Sequence, residues 1–129
     1  MRYLTGILLI CFNVLTFPDA RAIERKDQEP SALFSAMYDF NVCDYCGLVS
    51  AEVYDGYRRE IRSMIATGNL PDEYVHKTEV RAMAAVEEEY MNRGLGGFRL
   101  WCRMDGKAAV ERFVAYRAQI LREGDGSER

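Results

Sequence analysis

The sequence predicts an all-α fold: a small bundle of about four helices stapled by one disulfide. Three observations predict it. Apolar residues recur at steps of three and four through four separate segments. No stretch alternates with the period of two that a half-buried strand shows. Cap and stop residues (Ser50, Gly68-Asn69, Pro71, Gly94) fall between those segments, where helices begin and end.

Ahead of the helices, residues 1–22 read as a cleavable Sec-type signal peptide. Arg2 gives the charged start, "LTGILLICFNVLTF" (4–17) the apolar run, and Ala20-Arg21-Ala22 the small residues of a cleavage site. That run is shorter than the ~20 apolar residues a membrane span requires. Cys11 does not read as a lipoprotein cysteine, because Ile10 before it is bulky and the apolar run continues past it. The mature chain is expected to start at Ile23, with "IERKDQEP" (23–30) as a charged, flexible tail. Residues 31–122 form the single helical domain, and "EGDGSER" (123–129) is a polar tail.

The first helix is expected from Ser31 to Tyr45, with Leu33, Phe34, Met37, Tyr38 and Val42 at helical spacing. The second runs from Ser50 to Thr67. Val53, Tyr54, Tyr57, Ile61, Met64 and Ile65 face inward, and Arg58, Arg59, Glu60 and Arg62 face out. The third runs from Pro71 to Arg93 on the stripe Val75, Ala82, Val86 and Tyr90. Asp72 and Glu73 suit the positive end of its dipole, and Gly94 reads as its stop. "GLGGFRLWCRMDG" (94–106) reads as a glycine-rich loop. The fourth helix is expected from Asp105 to Arg122, with Val110, Phe113, Val114, Ile120 and Leu121 inward. Short connections make the bundle antiparallel.

Charge narrows the partners. Lys and Arg number 17 against 20 Asp and Glu, a net charge of −3. A mildly acidic chain is a poor binder of nucleic acid or of an anionic membrane surface. Outside the leader the basic residues are mostly arginine. Together with the leader, that composition suggests a bacterial protein exported to the periplasm.

An oxidising compartment makes cysteines pair. Cys43, Cys46 and Cys102 remain in the mature chain. A Cys46–Cys102 bridge, with Cys43–Cys102 as the alternative, would close a loop of more than fifty residues and stabilise by ~2–4 kcal/mol. The unpaired cysteine could join two chains in a homodimer. A redox pair Cys43–Cys46 needs a helix N-terminus to depress a thiol pKa. Here no βαβ pattern surrounds the motif, and Cys43 falls at a helix C-terminus. "CDYCG" lacks the histidine of a haem-attachment motif. A Cys₃His zinc set would combine the three cysteines with His76, the only histidine, at unsuitable spacing. No metal or cofactor is therefore expected, and no enzymatic activity. The carboxylates of "VEEEY" (86–90) point in different directions around a helix and read as a solvated face. Phe98, Arg99, Trp101 and Arg103 form a candidate interaction surface, since Trp and Arg are common in binding hot spots.

A leader, a small helical body, a cysteine at the opening of the core and another before a final amphipathic helix resemble the acid-stress chaperones of the bacterial periplasm. The local match is "WCRMDGKAAVERFVAYRAQI" (101–120), about one fifth of the mature chain. Cys43, the arginine-rich composition and "GLGGF" depart from that pattern. The expected function is a non-enzymatic binding or accessory protein of the envelope, with another protein or an envelope component as partner. The resemblance implies the alternative of an acid-stress holdase, and Cys43 with Cys46 the alternative of a thiol-disulfide oxidoreductase.

Overall fold

A computed structural model describes residues 31–126. The expected leader, N-terminal tail and last three residues lie outside them. Four helices and no strand occur among the described residues. They are α1 (Ala32–Tyr45), α2 (Ala51–Gly68), α3 (Asp72–Trp101) and α4 (Lys107–Gly126), with a π-helical turn, Cys102–Gly106, joining α3 to α4. No helix among these residues is long and apolar enough to cross a membrane.

Local chemistry sets the ends of α1 and α2. Ser31 Oγ accepts the Phe34 N–H at 3.1 Å, and Ser50 Oγ accepts the Val53 N–H at 3.3 Å. At the close of α1, Gly47 turns to φ +65°, the Gly47 N–H donates to the Asp44 carbonyl and the Leu48 N–H to the Cys43 carbonyl. That is a Schellman motif, with glycine where a left-handed residue is needed. Asn69, at φ 45°, closes α2 in the same way, and the Leu70 N–H reaches back to the Ile65 carbonyl.

α1 is the centre of the molecule. Leu33 and Met37 meet Ala82 of α3, Val42 meets Val86 and Trp101 of α3, and Cys43 meets Val53 of α2 and Phe113 of α4. A helix surrounded by three others buries residues on every side rather than along one stripe. α1 packs chiefly on α3, and α2 chiefly on α4. Between them, Phe40 stacks on Tyr57 at 3.9 Å and Phe113 meets both rings edge-on.

The region after Arg93 differs from the expected loop. α3 kinks at Gly94 (φ 62°, ψ −179°) and then continues to Trp101. Only glycine adopts that backbone without strain. Phe98, Trp101 and Cys102 are spaced three and four apart and bury against Val42, Val86 and Cys46. That burial outweighs the poor helix propensity of Gly96 and Gly97. The chain is therefore helical from the kink through the π turn into α4, and α4 continues past Arg122 to Gly126. Three residues expected inward are largely exposed: Tyr54, Tyr90 and Leu121.

Candidate functional site

The disulfide end of the bundle holds the cysteines and the expected interaction surface. Cys46 is bonded to Cys102 across 56 residues, which is the expected pairing rather than its Cys43 alternative. Cys43 is free and buried, one turn before Cys46 on α1. Burial first, and the nearby Asp39 charge second, push its thiol up to about 11. Cys46 is thus bonded to Cys102 and not to Cys43, and a protonated thiol is a poor nucleophile. The Cys₃His set is not assembled either. Two of its sulfurs are bonded to each other, and His76 is exposed on α3 beside Glu79 at 3.9 Å. In the folded protein at pH 8, Cys43 is expected to resist a thiol reagent and to react promptly in denaturant, as read by timed alkylation and mass spectrometry. Fast labelling of the native state would show that the core around Cys43 opens.

The expected surface of Phe98, Arg99, Trp101 and Arg103 is divided by the fold. Trp101 is 1% exposed and belongs to the core. The Arg93 guanidinium lies 5.4 Å from the centre of its ring and is held there by Glu89 and Asp105. The indole thus has an arginine over its ring and packs inside in a cluster with Val42 and Val86. Phe98 is half-buried, edge-on to Tyr90 at 5.2 Å, and Tyr90 in turn lies beside Tyr45. Arg99 and Arg103 are exposed. A helix at this position, instead of a loop, sends residues 98 and 101 inward while 99 and 103 face water.

A groove of ≈ 450 Å³ opens at the other end of α1. Ser31, Ala32 and Leu33 start one wall. Glu60, Ser63, Met64 and Thr67 of α2 form a second, Leu70 of the α2–α3 connection and Tyr74 of α3 add to the lining, and Tyr116 of α4 completes the rim. Its size and mainly apolar lining, with a few polar groups, are those of a small-molecule site.

Glu60 is the residue that sequence reasoning misplaced. Expected on the outer face of α2, it is 7% exposed. It falls one turn beyond Gly56, in the series Val53, Gly56, Glu60 that faces the core. That inward series was the available signal, masked by the neighbouring Arg58, Arg59 and Arg62. A buried carboxylate needs partners. Arg112 of α4 supplies them, donating from Nη2 (2.7 Å) and Nε (3.2 Å) to Glu60 Oε1, and from Nη1 (2.6 Å) to Asp39 Oδ2 of α1. One guanidinium thus ties three helices. Burial alone would lower the Arg112 pKa, but its bonds to Glu60 and Asp39 raise it overall. Glu60 Oε2 is buried and has no hydrogen-bond partner among the described residues.

A second arginine, Arg117, joins α4 to α2 through Asp55 Oδ2 at 3.1 Å and Glu52 at 3.6 Å. The hydrogen bond from Arg59, reinforced by Arg117, holds the Asp55 carboxyl below its ordinary value of 3.8.

Comparison of the chain with protein-family models, with curated proteins and with solved structures finds no match.

Proposed function

We propose that the chain is an exported, non-enzymatic binding protein of the bacterial envelope, and that the groove between α1, α2 and α4 is its ligand site. The observation that carries this reading is the groove itself, an apolar cleft with a buried carboxylate in its wall. Of the cysteines and the histidine, Cys46 and Cys102 form the staple, Cys43 lies in the core, and His76 stands on an exposed helix face away from the groove lining. Titration with a library of small amphipathic compounds, followed by thermal unfolding and amide NMR, tests it. A saturating ligand is expected to raise the unfolding temperature, since binding at about 100 times Kd adds ~2.7 kcal/mol. Its shifts should centre on Met64, Leu70 and Tyr116. Shifts confined to other surfaces, or no saturable binding, would remove this site.

A second reading, the acid-stress holdase, is favoured by the carboxylates that lock helices together. Asp55 bridges Arg59 and Arg117, and Asp39 and Glu60 share Arg112. Asp55 has a lowered folded-state pKa. Its stabilising contribution is complete above the ordinary carboxylate range and is lost as pH falls through the folded value. Between about pH 5 and pH 2 the stability of the native protein should fall more steeply than that of Asp55→Asn, measured by urea midpoints. Holdase function additionally requires suppression of client aggregation below about pH 3 but not at pH 7. Equal suppression at both values would dismiss acid gating.

A further inference from the structure

Resting on the reading of the groove as a ligand site, we propose that its ligand is a small amphipathic amine. Its ammonium group meets Glu60, and its apolar body lies on Leu33, Met64 and Leu70.

Charge is the first argument. Asp39 and Glu60 face a single arginine, Arg112, so the cluster holds two carboxylates against one guanidinium. Of these two carboxylates, Glu60 lines the groove, while Asp39 is partly exposed to solvent. Both Arg112 donors that reach Glu60 converge on Oε1, and Oε2 has no partner among the described residues. The Glu60 side chain is 9% exposed, so water compensates it poorly. An unmet buried acceptor is costly, and more so when it is charged. A donor arriving from the groove removes that cost.

Oε2 is shielded in the structure, and its last torsion is a soft, roughly two-fold one. An ammonium entering the cleft therefore has to turn the carboxylate about this bond, which moves both oxygens together and shifts the Arg112 bonds on Oε1 with them. The helix ends around the groove carry both signs. The groove is bordered by the carbonyl end of α2 at Thr67 and Gly68, which favours positive charge. The amino ends of α1 (Ala32, Leu33) and α3 (Tyr74) also border it and favour negative charge, so the preference for a cation rests on the Glu60 carboxylate. A neutral ligand would leave Oε2 unmet, and an anion would be repelled by it. The size of the groove, ≈ 450 Å³, fits a small molecule rather than a folded partner.

The test uses three probes that share a phenyl body: 2-phenylethylammonium, 2-phenylethanol and 3-phenylpropanoate. Each is titrated into the full chain at neutral pH and followed by amide NMR. The ammonium should bind about 10-fold or more tightly than the alcohol, as a charged hydrogen bond implies. The carboxylate should bind most weakly. Glu60→Gln should bring the ammonium to the level of the alcohol and leave the alcohol unchanged. Ser63→Trp, at an exposed position on the rim, should weaken both by filling the cleft.

Equal affinity for ammonium and alcohol at the groove overturns the amine assignment while the ligand-site reading stands. Absence of saturable shifts at the groove with all three probes overturns both. Groove shifts that coincide with displacement of residues 23–29 would give the cleft to the chain's own N-terminal segment and overturn an outside ligand. The comparison among probes is made on the unaltered protein, so it decides the question even if Glu60→Gln fails to fold.

Discussion

Replacing Cys46 and Cys102 together by alanine should lower the free energy of unfolding by about 4 kcal/mol. The bond closes a loop of 56 residues, and a cross-link over that length removes much of the freedom of the unfolded chain. The loss is large against the ~5–15 kcal/mol by which such domains are stable. For a domain of this size it corresponds to a fall of more than about 15 °C in Tm. Urea unfolding of the variant, and of the unaltered protein with and without reductant, measures it. The reduced native sequence keeps both side chains, so it separates the covalent term from lost packing around Val42, Val86 and Trp101. A loss below about 1 kcal/mol would mean that the unfolded chain is already constrained, or that the π turn docks on α1 without the bond.

Gly56→Ala should be nearly as damaging, by about 3 kcal/mol. α4 crosses α2 so closely at Gly56 that an added Cβ would lie 2.1 Å from the Phe113 carbonyl oxygen and 2.7 Å from its carbon. Both are backbone atoms, so no rotamer change relieves the overlap and the helices must separate. Separation would open the cluster of Cys43, Val53, Ala109 and Phe113 and lengthen the Arg117–Asp55 bridge. On an open helix face the same change gains about 1 kcal/mol through propensity. The sign is therefore diagnostic. Gly96→Ala, where an added Cβ meets nothing within 4 Å, is the matched control and should be neutral or stabilising. A neutral Gly56→Ala would show that α2 and α4 can slide apart without cost.

Helix boundaries in this chain were largely legible because caps act locally. Ser31 and Ser50 bind N–H groups three residues ahead, and Asn69 supplies the left-handed turn at the stop of α2, whereas the matching turn at Gly47 was not read from the sequence. Gly94 shows the limit of that logic. Its positive φ marks a break in direction, as glycine suggests, but the segment beyond it is again helix. The burial of Phe98 and Trp101 decides it, and burial depends on Val42 and Val86, far away in the chain. Trp101 illustrates the same point for function. As a residue type it suggested a contact surface, whereas its 1% exposure makes it core.

Composition and spacing alone determined an all-helical chain, its principal stops and a bridge from Cys102 to the end of α1. These come from periodicity and from the short-range chemistry of caps and thiols. Only the tertiary structure decided that Glu60 is buried, that Arg112 spans Asp39 and Glu60, and that a groove opens between α1, α2 and α4. The reason is distance along the chain. Arg112 meets its partners across 73 and 52 residues. A carboxylate flanked by arginines in sequence reads as solvated until the arginine that shields it arrives from another helix.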